Sequence, residues 1–536
     1  MELRDVENLT VAQAVELSAR RLPEKVALIA GERRVTYRDL LGMADAVAVG
    51  LAERGVKKGD RVAVALLNTP EMVASYLGCV KAGAVIVWTN PAFRHSDLLF
   101  VLRNTQPTTM FLPREVAGFD FLGMVRELRR QVPSLRQLIV DGLPAPQGPR
   151  EEDLAAILER HQGATPPAVT MDVRKDVLFL QHTSGTTGVP KAAVHTNYHM
   201  VRNVVGVVNS YHGTENEVYI GHLPFFHLFG RTCTLNAALF SGASCVLQQS
   251  FQPAEALHLM AEHGVTVQHV APAHLILELN VPDFAAHDLS SLRTGFVAGA
   301  VPPAETFKRA CDRMGCHYLG SWGCSEAFEG LVCDYDHDSL EMRATTAGKP
   351  LEGFEFKVID EAGTTLPPGQ PGELCVRSYA VLTEYWRNPE ETARQLDAEG
   401  WLHTGDVAVA DEEEHYRIAG RLKEMVNRGG MKIYPSELES LLDKHPKVKE
   451  VCVVSTPNPV LGESICACIV PKGEEKPTLA ELRQYLAEHV ARYKLPDELC
   501  LFTEFPRLSG GVKLRKFGPG SIQDQAIKNE ARERVR

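Results

Sequence analysis

Along the first third of the chain the hydrophobic positions alternate between two periods. In TYRDLLGMADAVAVGLAERG, which begins at Thr36, leucine and alanine recur at helical spacing behind a Thr36/Asp39 capping box, predicting a helix. DRVAVALLN, from Asp60, then reads as a buried strand, so the local architecture is α/β. A similar strand, DVLFLQ, runs straight into HTSGTTGVPK, and Asn197 is placed to cap a following helix carrying Met200, Val204, Val205 and Val208. A polar, glycine-bearing loop therefore lies between a strand and a helix. From about residue 341 the pattern changes to short strands with Gly/Pro turns, as in GFEFKVIDEAGTTLPPGQPGELCVRS, which predicts a small β subdomain. After GRLKE the pattern restarts: PSELESLLDKH, with Ser436 and Glu439 at capping-box spacing, then EVCVVST and ESICACIV as strands. The domain boundary is placed at about Lys423, and the tail IKNEARERVR is expected to fray.

Length and charge narrow the class. A chain of 536 residues holds roughly three or four compact units at about 100–200 residues each. Lys plus Arg number 57 against 68 Asp plus Glu, a net charge of -11, which gives no support for binding nucleic acid or an anionic membrane. MELRDVENLT carries charges where a signal peptide needs an apolar core, and the longest apolar run, MVASYLGCVKAGAVIVW, is broken by Lys81. The expectation is a cytoplasmic protein without a membrane span. Its 12 cysteines are scattered without CxxC pairs and are read as reduced, mostly buried thiols, Cys466 and Cys468 sharing one face of a strand.

The polar loop carries the chemistry. In HTSGTTGVPK hydroxyl residues and glycines crowd beside one lysine, a composition suited to wrapping phosphates with backbone N–H and hydroxyl donors. It is not a Walker loop, because Pro190 and Ala192 stand where that motif needs glycine and a hydroxyl residue. No strand leads into a GxGxxG turn, which removes support for a dinucleotide fold.

TSGTTGVPK resembles the phosphate loop of the adenylate-forming enzymes, the superfamily of acyl-CoA synthetases, luciferases and peptide-synthetase adenylation domains. LPFFHLFG (223–230), VAGAVPP (297–303), GSWGCSEA (320–327), WLHTGD (401–406) and GRLKEMVNRGGMKIYPSELE (420–439) follow in that superfamily's order, and AGAVIVWTNPAFRHSDL extends the likeness toward the N-terminus. The resemblance implies a large N-terminal AMP-binding domain, residues 1–422, of α/β subdomains to about 340 plus a β-barrel-like subdomain at about 341–419. A small mobile α+β domain, 423–536, would be hinged to it at Lys423.

The resemblance also implies roles. Thr183, Ser184, Gly185, Thr186, Thr187, Gly188 and Lys191 would line the triphosphate of ATP, with Ser325 as a further hydroxyl contact and Glu326 helping to hold Mg2+. Trp322 would stack on adenine, flanked by the backbone of Gly299, Ala300 and Val301. Asp406 would accept from the ribose hydroxyls and Arg421 would contact the ribose, while Gly429 and Gly430 would let pantetheine pass. Taken alone, Trp322 reads as core, TGD as a turn and Gly-Gly as a strand connection. His227 matches an aromatic position gating the acyl pocket, Phe225, Phe226 and Phe229 read as core or pocket lining, and Arg231 reads as solvated rather than substrate-facing. His182 and His195 read as hydrogen-bonding or packing groups.

Relatives end in a pattern close to PRTxSGKIxR, whose lysine serves adenylation. Here FPRLSGGVKLRK puts Val512 in that place, so the reading shifts the role to Lys513, re-aimed by Gly510 and Gly511, with Lys516 in reserve. The implied activity is an ATP- and Mg2+-dependent carboxylate:CoA ligase acting through an acyl adenylate. The overall pattern is most like fatty and aryl acyl-CoA synthetases, with no carrier-protein segment read after residue 536. Two alternatives stand beside it: an acyl-AMP ligase serving a carrier protein, and a catalytically silent nucleotide- or acyl-binding homologue. Acid identity and homo-oligomerisation are left open.

Overall fold

The computed structural model describes residues 6–145, 148, 150–183, 191–300, 302–428, 431–487, 489–507, 514–529 and 532–534. Short apolar runs become the central strands of a seven-stranded sheet, ordered Lys191–Thr196, Val177–Thr183, Val85–Trp88, Arg61–Val64, Thr109–Pro113, Gln137–Asp141, Glu151–Asp153. All its pairings are parallel except that of the first two strands. Val85–Trp88 and Thr109–Pro113 are buried at every position, which is why they read as unbroken apolar runs rather than alternations. Tyr37–Glu53 and Pro70–Lys81 pack on each other, and Thr36 and Asp39 form the expected capping box.

Two further four-stranded sheets complete the α/β part. One runs Val218–Gly221, Ser244–Leu247, Val26–Ala30, Arg33–Thr36, and the other Thr294–Val297, His317–Cys324, Phe328–Val332, Lys349–Pro350. Val267 bridges both, pairing with Tyr219 and Thr294. The helix Asn197–Ser210 buries Met200, Val201, Val204, Val205 and Val208, each side chain contributing about 1.5–3 kcal/mol. Its cap is Thr196, not Asn197: the Thr196 hydroxyl accepts from the His199 N–H, whereas Asn197 Oδ1 accepts from the Val11 N–H of the N-terminal helix.

The β subdomain is an open antiparallel sheet, Phe354–Ile359, Gly372–Ser378, Leu402–Ala410, Tyr416–Arg421, rather than the expected barrel-like form. Its two edge strands meet through side chains without a closing ladder: the Tyr416 hydroxyl donates to the Phe356 carbonyl at 3.2 Å and the two rings pack together, while Phe356 also packs on Trp322 and Phe354 on Tyr379.

Beyond Val426 the chain builds separate cores. Val426, Ile433, Leu438, Ile465 and Leu482 form one, and Cys452, Cys468, Phe505 and Ile522 another. The expected strands are there as Val448–Asn458 and Gly462–Pro471. The second expected capping box is not. In the helix Pro435–Leu442 no side chain caps the N-terminus; Ser436 Oγ donates to the Ala419 carbonyl and Glu439 accepts from the Val453 N–H, so both side chains serve tertiary contacts. Within the described residues near the C-terminal end, a helix spans Ile522–Lys528 and the short strand Glu533–Arg534 pairs with Glu498–Leu501. All 12 cysteines are unpaired, and among the described residues no helix is long and apolar enough to cross a membrane.

Candidate active site

The strand Val177–Thr183 and its antiparallel neighbour Lys191–Thr196 bring Thr183 and Lys191 together as register partners. Lys191 is buried, its ammonium donates to Glu391, and it stands 5.5 Å from the ring centre of Tyr385. Burial would raise the Glu391 carboxyl, but Arg394 and Lys191 hold it below the ordinary carboxylate range. Glu326 meets the same place from the turn between His317–Cys324 and Phe328–Val332. Its Oε1 accepts from the Tyr385 hydroxyl at 3.1 Å, and its backbone carbonyl accepts from the Leu382 N–H at 2.7 Å. Burial raises the Glu326 carboxyl above its ordinary value, while hydrogen bonds from Tyr385 and Thr183 and the charge of Arg421 pull the other way.

His195 fastens this turn to the paired strands Val177–Thr183 and Lys191–Thr196. It is fully buried against Phe179 and Phe328, and its Nε2 lies 2.8 Å from the Ser325 carbonyl. A carbonyl only accepts, so Nε2 carries the proton, and Nδ1, 3.2 Å from His199 Nδ1, accepts from that ring. Burial, then the neighbouring His199, hold His195 well below its ordinary pKa, so it is a neutral strut and matches the packing role expected of it.

On the other side Trp322, Asp406 and Arg421 form one unit. Trp322 Nε1 donates to Asp406 Oδ2 at 2.9 Å, and Arg421 Nε donates to Asp406 Oδ1 at 2.9 Å. Asp406 and Arg421 are cross-strand partners, and Gly405 at φ +70 lies in the bulge just before Asp406. The Asp406 carboxylate is the chief cause raising the Arg421 guanidinium above its usual range. Asp406 is thus a buried carboxylate oriented from both sides.

The outlying residues sit as follows. Gly299, at φ +80, and Ala300 are exposed just after the strand Thr294–Val297. His227 is exposed with its ring against Phe226, while Phe225 is core. Lys423 lies in the single 3-10 turn Leu422–Glu424. Ser184, Gly185, Thr186, Thr187, Gly188, Val301, Gly429, Gly430 and Lys513 lie outside the described residues. Arg507 and Leu514, on either side of the segment containing Lys513, form an antiparallel bridge. Lys516 Nζ donates to Glu439 Oε1 at 3.0 Å and to Glu424 Oε2 at 3.2 Å.

Arg231 corrects the reading of a solvated side chain. It is fully buried in the π-helical stretch Gly230–Asn236, where Nη1 donates to the Phe225 carbonyl at 3.0 Å and Nη2 to Gln181 Oε1 at 2.9 Å. Its guanidinium lies 4.3 Å from the Trp88 ring centre and 4.6 Å from that of Phe179. Burial pushes it down to about 9.

The AMP-binding enzyme family matches residues 15–386, and the AMP-binding enzyme C-terminal domain matches residues 437–511. The chain belongs to the AMP-binding enzyme family. It is 32% identical to the acyl-CoA ligase sidI of Aspergillus fumigatus, over 93% of this chain and 89% of that one. It is 30% identical to the mitochondrial medium-chain acyl-CoA ligase ACSF2 of Homo sapiens, over 95% of this chain and 86% of the relative. The crystal structure of the anthranilate CoA ligase AuaEII in complex with anthranoyl-AMP superposes with a TM-score of 0.87 at 28% identity, covering 95% and 97% of the two chains. Within the family this chain is an AMP-forming acyl-CoA synthetase, using ATP, Mg2+ and CoA.

An AMP-binding enzyme must neutralise phosphate charge, and the donors here suit that task. Glu326 with Thr183 beside it offers only oxygen ligands, a set that fits Mg2+. Sequence reasoning missed the groups that orient these residues. Tyr385 lies 59 residues from Glu326 along the chain, Glu391 lies 200 from Lys191, and neither segment carries a motif that announces the contact.

Proposed function

We propose that the enzyme activates a fatty or aryl carboxylic acid, with the residues above in the following roles. In the first half-reaction a carboxylate oxygen attacks the α-phosphorus of ATP; the new C–O–P bond forms as the bond to the β-phosphate oxygen breaks and pyrophosphate leaves. Asp406 accepts from the ribose hydroxyls, Arg421 steadies Asp406 and the ribose, and Trp322 supplies the adenine wall. Ser184 to Gly188, Thr183, Ser325 and Lys191 hold the phosphates, and Glu326 holds Mg2+, which supplies charge neutralisation of the triphosphate when bound. In the second half-reaction the CoA thiolate attacks the acyl carbon and AMP leaves. His227 gates the acyl pocket, and Gly429 and Gly430 border the pantetheine path after the domain beyond Lys423 rotates. The single observation carrying this reading is the Trp322–Asp406–Arg421 unit, in which two hydrogen bonds of 2.9 Å orient a buried carboxylate of the kind that accepts from ribose hydroxyls.

The acid class is supported by relatives acting on medium-chain and aryl acids. Twelve unpaired thiols fit a reducing compartment, in line with a cytoplasmic location. Lys513 is proposed as the adenylation lysine. Supporting it over Lys516 is the pair of carboxylates, Glu424 and Glu439, that already engages Lys516. Replacing Lys513 with Ala should abolish acid-dependent ATP–pyrophosphate exchange while sparing thioester formation from supplied acyl-AMP. Exchange at the wild-type rate would remove Lys513 from the mechanism.

A further inference from the structure

The antiparallel strands Gly372–Ser378 and Leu402–Ala410 bring a carboxylate, a thiol and an imidazole to one spot outside the nucleotide site. Glu373 and Cys375, two apart, share a face, and Cys375 is the cross-strand partner of His403. Their ligand atoms lie within 4.8 Å of one another. His403 Nδ1 is 3.2 Å from Glu373 Oε2 and 3.7 Å from Cys375 Sγ. In a tetrahedral zinc site, bond lengths of about 2.0–2.3 Å set the ligand atoms roughly 3.3–3.6 Å apart. The observed spacings straddle that range. We propose that Glu373, Cys375 and His403 form a transition-metal site of the zinc type, with a fourth position open to water.

The surroundings are those of a metal site. Glu373 Oε1 accepts from the Gly405 N–H at 3.1 Å, which orients the carboxylate. The other imidazole nitrogen of His403 stands 3.8 Å from Asp397 Oδ2, so a small shift would let this carboxylate accept its N–H. Asp397 is itself fixed by the N–H groups of Glu399 and Trp401, each at 2.9 Å. Cys375 is fully buried, whereas the His403 side chain keeps 32% exposure, so a cation reaches the group from the histidine side. A divalent cation binds the thiolate, so the Cys375 thiol proton leaves to solvent as the metal–sulfur bond forms. The register shifts between Glu373 and Cys375, so the site sits at the base of the bulge that carries Asp406.

The test uses the full-length enzyme, stripped with a chelator and loaded with one equivalent of Zn2+. X-ray absorption should show one sulfur among otherwise nitrogen and oxygen ligands, and Co2+ in its place should give a thiolate charge-transfer band. Cys375→Ser should lose both the bound zinc and the band, and Asp397→Asn should weaken zinc binding by about 10-fold or more. Zinc retained unchanged by Cys375→Ser, a sulfur-rich or sulfur-free shell, or no bound zinc would overturn the site and leave a hydrogen-bonded trio. If Cys375→Ser fails to fold, the absorption spectrum of the wild-type enzyme decides alone.

Discussion

Arg231 shows how a residue's partners, more than its type, settle what it does. A guanidinium with no carboxylate salt bridge among the described residues is held inside the protein by carbonyl and amide acceptors on two segments and by two aromatic faces. Lysine would keep the charge but lose the fork that spans Phe225 and Gln181, so Arg231→Lys should lower unfolding free energy by about 2 kcal/mol in urea denaturation. Unchanged stability would mean that the fork contributes little. Sequence alone favoured solvent because arginines are mostly exposed; the π-helical turn that swings this one inward has no signature in GRTCTLN. Asp406 and Trp322 were assigned to one site through the resemblance of HTGD and GSWGCSEA, and the structure brings them within hydrogen-bond distance. Those two residues lie in local motifs, whereas Tyr385 and Glu391 meet residues far away in the chain.

Among elements, the informative joint is between the paired strands Val177–Thr183 and Lys191–Thr196 and the turn bearing Glu326. His195 donates across it to the Ser325 carbonyl, so these strands and the proposed metal carboxylate keep one relative position. His195→Phe keeps the ring packing but strands that buried carbonyl, at about 1–3 kcal/mol, and should slow ATP–pyrophosphate exchange. His195→Gln, which can still donate, should recover part of the exchange; equal loss in both variants would reduce His195 to packing. Periodicity found most elements because buried strands and amphipathic helices leave their period in the sequence. Caps were read less well: Thr36/Asp39 closes locally as expected, but Ser436 and Glu439 have the same spacing and are drawn away by Ala419, Val453 and Lys516. The open β sheet escaped because strand periodicity shows which face is buried and not whether the two edges pair.

For the whole molecule, buried titratable groups set a pH optimum of stability. Burial lowers His182, His199 and His274 from 6.5 to about 4, His222 and His269 to about 3, and His195 well below 6.5. The unfolded chain binds these protons near pH 6.5 and the folded chain does not, so their contribution is complete above pH 6.5 and is lost as pH falls toward the folded values. For His199 that loss is on the order of 3 kcal/mol at about 1.4 per unit. Glu278, raised by burial to about 8, and Glu329, raised to about 7, act in reverse: their contribution is complete below 4.5 and fades as pH rises. The imidazoles outweigh the two carboxylates, so urea midpoints should climb from pH 4.5 to 6.5 and decline gently above it. A midpoint independent of pH across this range would contradict the buried, neutral state of these groups. The central claim concerns chemistry, and one assay reaches it directly: the enzyme with ATP, Mg2+, CoA and a panel of fatty and aryl acids, scored for CoA thioester and AMP. The account predicts equal amounts of both, dependent on acid and on CoA, with acid-dependent ATP–pyrophosphate exchange when CoA is withheld. AMP binding without exchange or thioester for any acid in the panel would contradict it.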